Sequence, residues 1–132
     1  MTPTQSSSPA NQPAYVEEPS IYPFTFNLTA GQHISDVAVN IDRDADWLWT
    51  GLNGSSTGAY TVNFRLPSGR QLANAEILNT DIVGTANQPT QIGPPPVYRA
   101  GSSGPQLTIT DISGAGNTVT LIFSGIRRVR TT

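Results

Sequence analysis

Apolar and polar positions alternate along most of this chain with a period of two. Tyr22, Phe24, Phe26 and Leu28 fall on one side of an extended backbone, with Thr25 and Asn27 on the other. The same spacing runs through Val37, Val39 and Ile41, through Tyr60, Val62, Phe64 and Leu66, through Leu107 and Ile109, and through Val119, Leu121 and Phe123. Successive side chains of a strand point to opposite faces, so the pattern describes half-buried strands of an antiparallel sheet. It predicts strands over 21–28, 35–41, 46–52, 59–66, 75–83, 96–99, 106–112 and 118–126. The stretch 70–79, with Leu72, Ala75, Ile77 and Leu78, fits either a short helix or an irregular strand.

The separators carry turn chemistry. Asn53-Gly54 is a strong turn pair, Gly58 precedes a strand, and Pro67-Ser68-Gly69 closes another. Gly114-Ala115-Gly116-Asn117 joins the last two strands as a hairpin, and Gly84 to Pro96, ending in Pro94, Pro95 and Pro96, reads as a crossing between sheets. About eight short strands without a long helix predict an all-β fold, an antiparallel β-sandwich or jelly roll, as one domain over 21–132. Residues 1–20, rich in Pro, Ser and Gln, read as a flexible N-terminal arm, either frayed or ordered on a neighbouring subunit. Strand 46–52 is apolar on both sides: Trp47 and Trp49 share one parity, Leu48 and Leu52 the other. One side must meet the core; the other lies under a loop or against another subunit.

Composition narrows the chemistry. Only 12% of the 132 residues are charged, about half the usual ~25%. The net charge of −2 gives the whole molecule no field for nucleic acid. All seven basic residues are arginine, and Arg127, Arg128 and Arg130 crowd the C-terminus as a solvated tail or as an anchor for an acidic surface. Without cysteine there is no disulfide and no thiolate metal site. The start lacks a basic region followed by an apolar run, so no signal peptide is expected, and no apolar run approaches the ~18 residues of a membrane helix.

Candidate catalytic and ligand motifs are sparse. Asp42, Asp44 and Asp46 open like a calcium loop, but Trp47 and Asn53 stand where glycine and glutamate are needed, which favours a capped turn with Arg43 as counter-charge. The single histidine, His33, lacks a G-x-S-x-G elbow to partner it. Glu76, Asp81 and Asp111 are carboxylates of the kind that cleave glycosides in pairs, with no spacing to select a pair. Gly114 to Gly116 is no phosphate loop. Trp47, Trp49 and Tyr60 are candidates for stacking on sugar rings. Asn27-Leu28-Thr29 and Asn53-Gly54-Ser55 match the glycosylation pattern, which matters only on a secretory route.

The order of segments has a further likeness. Asp46-Trp47-Leu48-Trp49-Thr50-Gly51 is followed by Tyr60 to Leu66 and the turn Pro67-Ser68-Gly69-Arg70. A Gly/Pro-rich crossing, Ala100-Gly101-Ser102, Leu107 to Ile112, and Val119 to Gly125 with a basic end complete it. This layout resembles the small β-sandwich virion proteins of tailed bacteriophages, in particular capsid decoration (cement) proteins. The resemblance implies a non-enzymatic homotrimer without cofactor or metal that sits on the outside of the virion. There it would contact the major capsid protein and bridge capsomers, without touching nucleic acid or membrane. The contact regions expected from it are Tyr15, Val16, Glu17 and Glu18 of the arm, Trp47 and Trp49, and the basic end Arg127, Arg128 and Arg130. A tail, neck or fibre-associated virion protein and a carbohydrate-binding module are the alternative readings.

Overall fold

The alternating segments pair as nested partners. In the computed structural model, which describes residues 14–130, β1 (Tyr15–Leu28) runs antiparallel to β9 (Asn117–Arg130), and β2 (His33–Asn40) to β8 (Ser103–Asp111). Inside them, β3 (Ala45–Ser56) pairs with β6 (Thr90–Gln91) and β7 (Val97–Tyr98), and β4 (Tyr60–Arg65) with β5 (Ile77–Leu78), which leads into the single turn α1 (Asn79–Ile82). Pairing first with last and second with second-last rolls one long hairpin into two sheets. Their orders are β1-β9-β3-β6, with β7 also on β3, and β2-β8-β4-β5. This is the jelly-roll sandwich that the alternation predicts.

The core lies between the inner faces. Phe26, Leu28, Val119, Leu121 and Phe123 come from one sheet, and Val62, Phe64, Leu107 and Ile109 from the other. Trp49 joins the layers: its ring lies 5.3 Å from Phe64 and 5.7 Å from Phe123. Burial pushes the Tyr60 hydroxyl up to about 12 and that of Tyr98 higher still, so both remain neutral phenols, and Tyr98 donates to the Arg65 carbonyl at 3.2 Å. Asp111, 2% exposed, ties one end of the sandwich together. It accepts hydrogen bonds from the Ser113 hydroxyl, the backbone amides of Gly31, Ser113 and Gly114, and the Asn117 amide. Those donors, Ser113 first and Gly31 next, hold its carboxyl well below the usual carboxylate range.

Two expectations need correction. β1 starts at Tyr15, so residues 15–20 belong to a strand rather than to an arm; the rest of the expected arm, residues 1–13, lies outside the described residues. The register also shifts between Trp49 and Gly51, a bulge that reverses the facing of everything after it. Leu52 therefore returns to the core beside Trp47 and Trp49, all three at 0% exposure, and leaves Leu48 on the outer face of the sheet, where it is still buried. The ambiguous 70–79 stretch resolves into irregular chain, β5 and the start of α1, and the crossing contributes β6.

The sheet edges are blunted. β1 is an edge strand of 14 residues, but Pro19 and Pro23 share a parity and lack the N–H that a further strand would need. At the edge of the other sheet, β2 is broken by two register shifts, and Asp36 adopts φ 59°. The opposite edges are strands of two residues each. Faces, rather than edges, are left to make contacts.

Candidate interaction surfaces

Two of the expected contact regions turn out to be partners of each other. The β1–β9 register places Tyr15 opposite Arg130, Glu17 opposite Arg128 and Glu18 opposite Arg127. Opposite charges directly across an antiparallel ladder support it. Arg128 donates from Nε to Glu17 at 2.8 Å, and Arg127 donates from Nε and Nη2 to Glu18 at 3.1 and 2.9 Å. Arg127 also reaches Asp42 at 3.3 Å, and the Arg130 guanidinium lies 5.9 Å from the Tyr15 ring centroid. Hydrogen bonding and charge from Glu18 and Asp42 raise the Arg127 pKa further above its ordinary value. The basic end is thus neither a free tail nor a free anchor, because the acidic surface it meets is the chain's own β1. The counter-charge of Asp42 is Arg127, not Arg43.

Trp47 and Trp49 are not contact residues. Both indoles are at 0% exposure. The Trp47 ring packs edge-on against Tyr22 at 5.1 Å and lies across Gly125, where an added Cβ would meet its indole at 2.5 Å and collide with the Leu48 carbonyl. Trp49 donates its N–H to the Gly51 carbonyl at 2.9 Å. Tyr60, 1% exposed, is equally enclosed, so none of the three rings can stack on a sugar.

The outer face of the five-stranded sheet carries what the tryptophans do not. Cross-strand partners Val97, Leu48, Ile126 and Pro19 form an apolar row over β7, β3, β9 and β1, in which Leu48 is itself covered by its neighbours at 9% exposure. Ile21 shares this face beside Ser124 and is 58% exposed, and Val97 is 45% exposed. At its β7 end the row adjoins a cleft of about 630 Å³ that includes Leu66, Leu72, Ile92, Pro94 and Val97. A charged row, Asp46, Arg128 and Glu17, borders it on the other side. An apolar patch rimmed by charge is the form that contact surfaces take. Because strand 46–52 is apolar on both sides, its alternation did not show that Leu48, rather than the tryptophans, lies on the outer face, and Ile126 and Pro19 gave no signal either.

The remaining candidates do not converge. Asp42 and Asp46 serve separate partners, Arg127 and the Ala100 amide. Asp111 shares the inward parity of Tyr60, whereas Glu76 accepts from the outward hydroxyls of Thr61 and Thr110. The two carboxylates lie on opposite faces of their sheet and cannot flank one glycosidic bond. Asp81 is exposed on α1. The acidic and hydroxyl groups around Glu76 do line a polar trough, which sequence reasoning missed.

No family model matches this chain, and no curated protein matches it. A solved structure of Bacillus endospore appendages, described as a novel family of disulfide-linked pili, is similar at 19% identity and a TM-score of 0.44, over 97% of this chain and 100% of that one.

Proposed function

We propose that this protein is a structural, non-catalytic virion component that docks on the outside of a phage capsid through the outer face of its five-stranded sheet. The observation that carries this reading is the apolar row Val97, Leu48, Ile126 and Pro19 beside the exposed Ile21. The blunted edges support it as well, since they leave face contact as the route to assembly. The partner is the major capsid protein. The role expected of the tryptophans passes to Ile21, Val97 and Ile126, while Glu17 and Arg128 supply the charged border.

Stabilisation works by linkage: a ligand that binds only the assembled shell shifts the equilibrium towards it. In a trimer, individually weak contacts combine through effective concentration. Few ions need to be stripped of water on such a face, an operation that costs several kcal/mol when charges stay unpaired. Counting this chain against the major capsid protein by mass spectrometry of purified particles tests the reading. Hundreds of copies in fixed ratio to the shell are expected; a handful would transfer the protein to the tail or neck, and absence from particles would remove it from the virion.

A further inference from the structure

The opposite face of the molecule holds a built trough. On the outer side of β2-β8-β4-β5, the side chains of Thr108 and Gln106 from β8 and Arg65 from β4 form a floor. Asp36 on β2 stands on one side, and the segment from Gln71 to Glu76 on the other. The space between them is about 250 Å³.

Its walls are fixed before any ligand arrives. Asn63, 5% exposed, donates to the Gln71 side-chain oxygen and to the Ala73 carbonyl, both at 2.9 Å, and accepts from the Ala73 amide. Thr61 and Thr110 both donate to Oε1 of Glu76, at 2.9 and 2.8 Å. The Thr110 oxygen is then left to accept from Nδ1–H of His33 at 2.6 Å. Asp36 keeps φ 59°, a region uncommon for any residue but glycine, at the wall of the trough.

What remains free is a mixed set of donors and acceptors. Among the described residues, the Gln106 side-chain amide and the Thr108 hydroxyl have no hydrogen-bond partner, and Oε2 of Glu76 has no polar partner nearer than the His33 ring at 3.9 Å. The bond from Asn63 to its oxygen orients the Gln71 amide and leaves both of its N–H groups free to donate. Arg65 donates from Nη1 to the Gly69 carbonyl at 2.9 Å and its Nη2 stands 3.7 Å from Asp36 as an exposed, near-neutral pair, so its remaining N–H groups face a ligand. An amide, a hydroxyl, a carboxylate oxygen and a guanidinium within one trough match the alternating hydroxyls of a sugar, each of which both donates and accepts. An extended peptide fits less well. The backbone groups of this floor are spent on strand pairing, and the trough offers no apolar pocket for alternate side chains.

We propose that this trough binds a neutral saccharide chain. The inference stands on different residues and a different face from the docking surface, so either can fail alone. Without a ring to stack on, affinity falls in the millimolar range typical of a few exposed hydrogen bonds. The test is NMR titration of the full chain with neutral hexasaccharides of glucose, mannose and N-acetylglucosamine, at up to about 10 mM. At least one of them is expected to shift the side-chain amide signals of Gln71 and Gln106. The double variant Gln106→Ala, Thr108→Val, whose side chains hold no partner in the fold, is expected to weaken that binding about tenfold or more with its spectrum otherwise unchanged. Glu76→Gln provides a second, independent variant with the same expected direction. No shift from any of the sugars, or equal binding by the variants, overturns the proposal.

Discussion

β1 and β9 run side by side over their whole length, yet the two halves of that ladder are held by different forces. From Tyr22 to Leu28, the inward positions are Tyr22, Phe24, Phe26 and Leu28, set against Val119, Leu121 and Phe123, and they are packed against the second sheet. From Val16 to Ser20, the inward positions are Val16, Glu18 and Ser20, set against Gly125, Arg127 and Val129. Over this N-terminal half lie Trp47, which donates to the Ser20 carbonyl at 3.4 Å, and Asp42, which meets Arg127 at 3.3 Å. One half is a wall of the core and the other is a charged ribbon that extends it. Backbone pairing continues through both without a break, so strand length and burial are separate properties of a sequence.

That separation sets how much could be read from the chain. The second half of β1, together with β4, β8 and the start of β9, is legible because alternation records burial, and a jelly roll follows from enough such strands. Glu17, Glu18 and Pro19 record no burial, so a strand there looks like an arm. Arg127 and Arg128 likewise look like a tail until the register sets them opposite their acids. The bulge at Thr50 hides the facing of Leu52, since a single inserted residue inverts the parity on which the reading depends. The trough stayed invisible because Thr108, Gln106 and Arg65 are ordinary outward positions, and only folding brings Glu76 and Gln71 beside them.

The contrast between the two halves can be tested by breaking each in turn. Trp49→Ala has the largest expected effect, a loss of about 3–5 kcal/mol in chemical denaturation, because it opens the centre of the core. Gly125→Ala follows at about 1–3 kcal/mol, since a methyl there meets the Leu48 backbone and the Trp47 ring; near-ultraviolet circular dichroism checks the indole packing.

Acid titration probes the Asp111 staple, which belongs to the core end. A carboxyl whose pKa is depressed on folding adds stability that is fully present above its unfolded value of 3.8 and is lost as pH falls below it. The melting temperature of the wild-type protein is expected to drop through that window, and Asp111→Asn to start lower at neutral pH and drop less.

The ribbon responds more weakly. Arg128→Ala removes one exposed ion pair and is expected to cost under ~1 kcal/mol, fading in high salt. Arg127→Ala, which strips partners from both Glu18 and Asp42, is expected to cost more than Arg128→Ala. A double-mutant cycle with Glu18→Gln measures how much of that difference is the pair itself.

The docking face is tested most directly with Ile21→Asp. Ile21 is 58% exposed, so this substitution leaves the fold intact while placing a charge where an apolar contact is required. Equal amounts of wild-type and variant protein are offered to particles stripped of this chain, and the bound ratio is read by mass spectrometry. Wild-type protein in at least about tenfold excess is expected if the outer face of the five-stranded sheet seats on the shell. Equal occupancy, at unchanged melting temperature, would contradict it.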